Sequence, residues 1–120
     1  MTLKNKDIIS LYENLQKVGS KILPVKTSFA LVKNMKVLEP TYNAIIETRD
    51  SIYKTHGELQ SDGTILIPTE LVPVANKDLT ELSEISVLVD LEAIPLSSLE
   101  GSSWTLDEIS GIYPIINGEA

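Results

Sequence analysis

His56 is the one histidine of a chain that has no cysteine. Any imidazole proton shuttle or nitrogen-based metal site must therefore be built on that single ring, and thiolate sites are excluded. A second group with suitable types and spacing is the pair Asp90 and Glu92. Two residues apart in an alternating run, they project from one side of a strand, where they could hold a divalent cation or act as acid and base. Asp78 with Glu81 and Asp107 with Glu108 are further carboxylate pairs. Each has a plain structural alternative. A histidine near a helix end packs or faces the dipole, and carboxylates on one strand face are solvated.

The wider motif inventory is empty. A serine triad would have to recruit His56, and no Gly-x-Ser-x-Gly elbow presents such a serine. There is no EF-hand loop, His-Glu-x-x-His helix, Gly-x-x-x-x-Gly-Lys loop or Gly-x-Gly-x-x-Gly turn. The expectation is a non-enzymatic protein with no catalytic residue, no metal and no cofactor.

The charges are sorted along the chain. Residues 1–56 carry nine lysines and arginines against five carboxylates, whereas residues 57–120 carry Lys77 alone against twelve carboxylates. The halves are thus +4 and −11, and the whole is −7. Such a negative field steers a basic partner and repels phosphate, so direct nucleic-acid binding is not expected. Lys17, Lys21, Lys26, Lys33 and Lys36 form a candidate basic patch. It is either the solvated end of a helical hairpin, a contact for the acidic half of a second copy, or the lining of an intersubunit pocket for a nucleotide signal.

At 120 residues with 42% hydrophobic and 22% charged content, one globular domain is expected over 1–120. No apolar run approaches the roughly 20 residues of a membrane span, and the first residues lack the apolar stretch of a secretory signal. Cysteine absence fits a reducing compartment. These features set the expectation of a cytoplasmic protein.

The elements that must position these groups are readable from periodicity. Ile8, Leu11, Tyr12, Leu15 and Val18 share one helical face, giving a first helix over about 6–18 with Asn5 as its cap and Gly19 as its stop. The apolar connection 21–26 is expected to press on the core. A long second helix follows from Thr27 or Ser28, with a seam of Leu31, Met35, Leu38, Tyr42, Ile45, Arg49, Ile52 and His56 repeating about every 3.5 residues. Pro40 cannot donate to the carbonyl of Lys36, so a kink or short break is expected near 36–39. Leu31, Leu38, Ile45, Arg49 and Ile52 are the candidate self-association residues, on the expectation that so long a rod is covered by a second copy. Arg49 on this seam sets register, pairs with a carboxylate such as Glu47 or Asp50, or snorkels out.

After Gly57 a hairpin is expected around Ser61-Asp62-Gly63, then a short helix over about 77–82 with Pro73 and Asn76 dividing the preceding stretch. Residues 84–94 read as a strand with Ile85, Val87, Val89, Leu91 and Ala93 inward, and Glu84, Leu88, Asp90 and Glu92 on the wet face. Those four are the candidate partner-binding residues. Thr105 and Glu108 spell a capping box, with Trp104 and Ile109 as its hydrophobic staple and Ile115 and Ile116 docking after it.

The segment Lys21-Ile-Leu-Pro-Val-Lys-Thr-Ser-Phe-Ala-Leu-Val-Lys-Asn-Met-Lys, with the opening Leu3-Lys4-Asn5-Lys6-Asp7, resembles an uncharacterised family of short proteins of tailed phages and prophages. The order of a short helix, a Leu-Pro-Val-Lys turn, a long helix, a strand and a short terminal helix is similar too. Pro40 and the variable-looking 61–63 region depart from that family, which carries no established activity. The resemblance implies a phage-encoded accessory protein. The missing catalytic motifs and the −11 half add the expectation that it binds a host or phage protein. The length of the second helix leaves a virion-assembly role, and the basic patch a nucleotide sponge, as alternatives. The expected fold is α+β: an N-terminal helical hairpin with a long second helix, a small antiparallel sheet and a short C-terminal helix.

Overall fold

The computed structural model describes residues 1–117, so Glu119 of the acidic count lies outside the described residues. The fold is α+β. A short strand β1 (Thr2–Lys4) leads into α1 (Asn5–Val18) and the long α2 (Val25–His56). The hairpin β2 (Glu58–Leu59) and β3 (Ile65–Leu66) follows, then α3 (Val72–Glu84), β4 (Ser86–Leu88), β5 (Ile94–Pro95), α4 (Leu106–Gly111) and β6 (Ile116–Asn117). In place of one small sheet there are, among the described residues, three two-stranded ladders. β1–β4 and β2–β3 are antiparallel, and β5–β6 is parallel.

The core is the α1 face read from periodicity. Ile8, Leu11, Leu15 and Val18 are buried against Leu31, Leu38 and Ile45 of α2 and against Val89, Ile94, Ile112 and Ile115 of the C-terminal half. Tyr12 and Tyr42 stack at 4.3 Å between centroids, fixing α1 on α2, and the Tyr42 hydroxyl reaches Glu13 at 3.4 Å.

Several local expectations are overturned. Asn5 is not a cap: it is buried, its backbone N–H donates to Ile85 O, and its Nδ2 donates to Leu82 O. It thereby ties the start of α1 to the end of α3. α2 starts at Val25 behind Pro24 and stays helical through Pro40, so of the expected kink or short break there is no break. Over 32 residues such a helix is about 48 Å long, most of the 53 Å longest extent of the molecule. α3 begins at Val72, not near 77, because Pro73 falls in its first turn, where a missing N–H costs nothing. The expected strand over 84–94 shrinks to Ser86–Leu88. Glu84 still belongs to α3, and only these three residues find the partner strand β1.

The expectation that the α2 seam is left for a second copy does not hold. Leu31, Leu38 and Ile45 are 6%, 0% and 3% exposed within one chain, so they have no apolar surface to offer. Arg49 and Ile52 are half-buried. Arg49 Nε lies 3.9 Å from Asp50 Oδ1, is itself buried, and makes no hydrogen bond among the described residues.

The Gly57–Ile67 hairpin forms as read, with Gly63 at φ 88° and Asp62 Oδ1 accepting from both the N–H and hydroxyl of Thr64. The capping box also forms: Glu108 N donates to Thr105 Oγ1 at 3.1 Å and Thr105 N donates to Glu108 Oε1 at 2.9 Å.

Candidate protein-binding surface

The surface around β4 is built by its pairing with β1. Leu3 lies opposite Val87 and both turn toward the core, which places Thr2, Lys4, Ser86 and Leu88 on the outer face. Met1 and Val89 exchange both backbone bonds, at 2.8 and 3.2 Å, and Asn5 N donates to Ile85 O at 2.9 Å. In an antiparallel ladder bonding pairs alternate, so the odd-numbered residues 85, 87 and 89 bond to Asn5, Leu3 and Met1 of the N-terminal segment. Ser86 and Leu88 consequently direct their N–H and C=O groups to the other edge, where no further strand pairs among the described residues.

Leu88 is 79% exposed on this ribbon, so no other described element covers it. Asp90 and Glu92 follow it on the surface. Their segment is held to α2 by Asn34, which is 1% exposed: Asn34 Nδ2 donates to Glu92 O at 2.9 Å, and Glu92 N donates to Asn34 Oδ1 at 2.7 Å. Beside this clamp lies an open cleft of about 300 Å³ lined by Lys33, Asn34, Val37, Asp90, Leu91 and Glu92. Nothing in the sequence periodicity pointed to Asn34, although an asparagine on the inward side of an apolar helix face is a hint that a backbone needs a partner there.

The separated charges meet across the fold. Among the described residues every lysine–carboxylate pair joins the basic half to the acidic half: Lys4 and Lys6 with Glu84, Lys21 with Glu108, and Lys33 with Glu92. Bonds first from Lys4 and then from Lys6 hold the Glu84 carboxyl below its ordinary range, and the Glu84 bond raises Lys4 in turn. Glu84 and Glu92 are thus partly neutralised within the chain, whereas Asp90 is exposed and forms no such pair among the described residues.

The same pairing dissolves the candidate basic patch as a unit. Lys21 Nζ donates to Ser103 O at 2.6 Å, pairs with Glu108 at 3.0 Å and sits 5.1 Å from the Trp104 ring centroid. Lys33 turns to Glu92, with its Nζ 5.6 Å from the Phe29 ring centroid. Lys17, Lys26 and Lys36 are exposed.

Of the groups that could do acid–base chemistry, His56 meets Asp78, whereas the pair Asp90 and Glu92 lies elsewhere on the fold. Glu92 is clamped at Asn34, whereas His56 ends the same continuous helix 22 residues later, about 33 Å along its axis. His56 Nε2 lies 2.9 Å from Asp78 Oδ2, a bond that fastens α2 to α3. Among the described residues no group of three His, Asp or Glu side chains is placed to hold a metal ion, and no helix is long and apolar enough to cross a membrane.

The chain matches no family model, and no curated protein or solved structure matches it. The functional reading therefore rests on the residues themselves.

Proposed function

We infer that this protein works by binding another protein through the β4 face, without catalysis, as an accessory factor that occludes or modulates its partner. The observation that carries this reading is Leu88, a leucine 79% exposed at an unpaired strand edge beside Asp90. An apolar contact bordered by charge is a common interface arrangement, in which the charge governs encounter and the apolar group governs residence. The free N–H and C=O groups of Ser86 and Leu88 add a way to take up an extended segment of the partner. A host or phage protein with a basic, extended segment has the chemistry to fit.

The test is affinity capture from the cell that makes the protein, comparing the native chain with Leu88→Asp and with Asp90→Lys/Glu92→Lys. The same partner should be recovered by the native chain, lost with Leu88→Asp, and bound more slowly with weaker salt dependence by the double variant. A partner recovered equally by all three rules this face out. Abundance in purified virus particles without a cellular partner would point instead to assembly.

A further inference from the structure

The first four turns of α2 are apolar on two opposite sides. Leu31 and Leu38 face the core, but Val25, Phe29 and Val32, at steps of four and three, fall within about 60° of one another on the far side. They are 84%, 63% and 51% exposed, and Ile22, just before the helix, is 95% exposed. The connection expected to press on the core does so only through Leu23. Phe29, the single phenylalanine of the chain, is thus spent on the surface. An exposed apolar stripe on the side of a helix that the core does not cover marks an interaction site.

The rim of the stripe selects what covers it. Lys26, Lys33 and Lys36 stand along it, and among the described residues the one carboxylate paired there is Glu92, on Lys33. Stripe-to-stripe packing of two copies would bring these lysines together. An anionic lipid surface would have to accept a protein of net charge −7. A protein surface with carboxylates at its edge meets neither penalty. Beside the stripe a depression of about 70 Å³, lined by Leu23, Leu31, Val32 and Met35, can take an aliphatic side chain as an anchor.

We propose that the Ile22–Val32 stripe is a second docking surface, which takes an amphipathic helix of an acidic protein partner. Its apolar residues cover Val25, Phe29 and Val32, and its carboxylates meet Lys26 and Lys36. It adjoins the β4 face, where Lys33 of its rim pairs with Glu92, and differs from it in chemistry, so the protein has two faces of opposite charge.

The experiment uses two labelled synthetic amphipathic helices with the same leucine face, one rimmed with glutamate and one with lysine, read by fluorescence anisotropy against the full chain. The glutamate-rimmed helix should bind, with affinity falling as salt rises. Phe29→Asp and Lys26→Glu/Lys36→Glu should each weaken it at least tenfold, while Leu88→Asp leaves it unchanged. These side chains are exposed, so circular dichroism should show an intact fold in each variant. No binding at millimolar peptide, equal binding of the lysine-rimmed helix, or insensitivity to Phe29→Asp overturns the proposal. So does Phe29-dependent sedimentation with phosphatidylglycerol vesicles, or Phe29-dependent dimerisation in light scattering, each of which would assign the stripe to another occupant.

Discussion

Asn34 of α2 closes a two-bond ring with the backbone of Glu92, accepting from its N–H at 2.7 Å and donating to its C=O at 2.9 Å. A primary amide reproduces the pattern a neighbouring strand would offer, so α2 serves as an edge for a segment that has no strand partner there. Asn34→Ala removes both bonds and leaves the part-buried N–H and C=O of Glu92 without partners. The expected loss is about 2–4 kcal/mol, since each orphaned buried group costs about 1–3 kcal/mol. Urea unfolding measures it. A loss under about 0.5 kcal/mol would show that water replaces the amide without cost.

Pro40→Ala should stabilise the protein. Pro40 lies exposed inside an uninterrupted helix, where proline is about 3 kcal/mol worse than alanine. The proline also restricts the unfolded chain, which returns part of that difference. A net gain of about 1–2 kcal/mol is expected in thermal or urea unfolding. No gain would mean that the neighbouring turns have already adjusted to the missing bond.

Gly111→Ala should destabilise the α1–α4 contact. A Cβ added there would lie 2.8 Å from Asn14 Cβ, too close for the helices to keep their spacing. Overpacking of this kind costs about 1–3 kcal/mol. The double variant Gly111→Ala/Asn14→Gly should recover most of the loss, and failure to do so would place the strain elsewhere.

Acid should weaken the fold through its inter-half pairs. The Glu84 carboxyl is held down by Lys4 and Lys6, and the Glu108 carboxyl by the Thr105 backbone N–H and then by Lys21. A carboxyl whose folded value lies below its unfolded one contributes stability above the unfolded value. That contribution fades as pH falls from the ordinary 4.5 through the lowered folded value. Glu84→Gln and Glu108→Gln should therefore flatten the decline in melting temperature between about pH 5 and pH 3. Slopes identical to the native chain would show that these pairs add nothing in solution.

Trp104→Ala should lower stability by about 3 kcal/mol, at the low end for an aromatic truncation because the ring is only partly buried. It packs on the core edge under Lys21, and the loss should appear as a lower urea midpoint. Full stability with Lys21 unconstrained would assign the ring a surface role.

What the sequence by itself determined is what neighbouring residues decide among themselves. The buried face of α1, the Gly63 turn and the Thr105–Glu108 capping box depend on steps of two to four residues, and all three stand in the structure. The exposure of Leu88, Asp90 and Glu92 agrees with the alternation, but Glu84 belongs to α3, and Ile85 and Ala93, read as inward, are exposed. Only the tertiary structure decided that β1 exists, because Thr2–Lys4 is a strand through its pairing with residues 86–88. It likewise decided that Asn5 and Asn34 are buried ties, that the lysines of one half meet the carboxylates of the other, and that the α2 seam is used up within the chain while the stripe at Phe29 stays open. Each of these joins residues tens of positions apart, and such contacts leave no periodic trace in the chain that makes them.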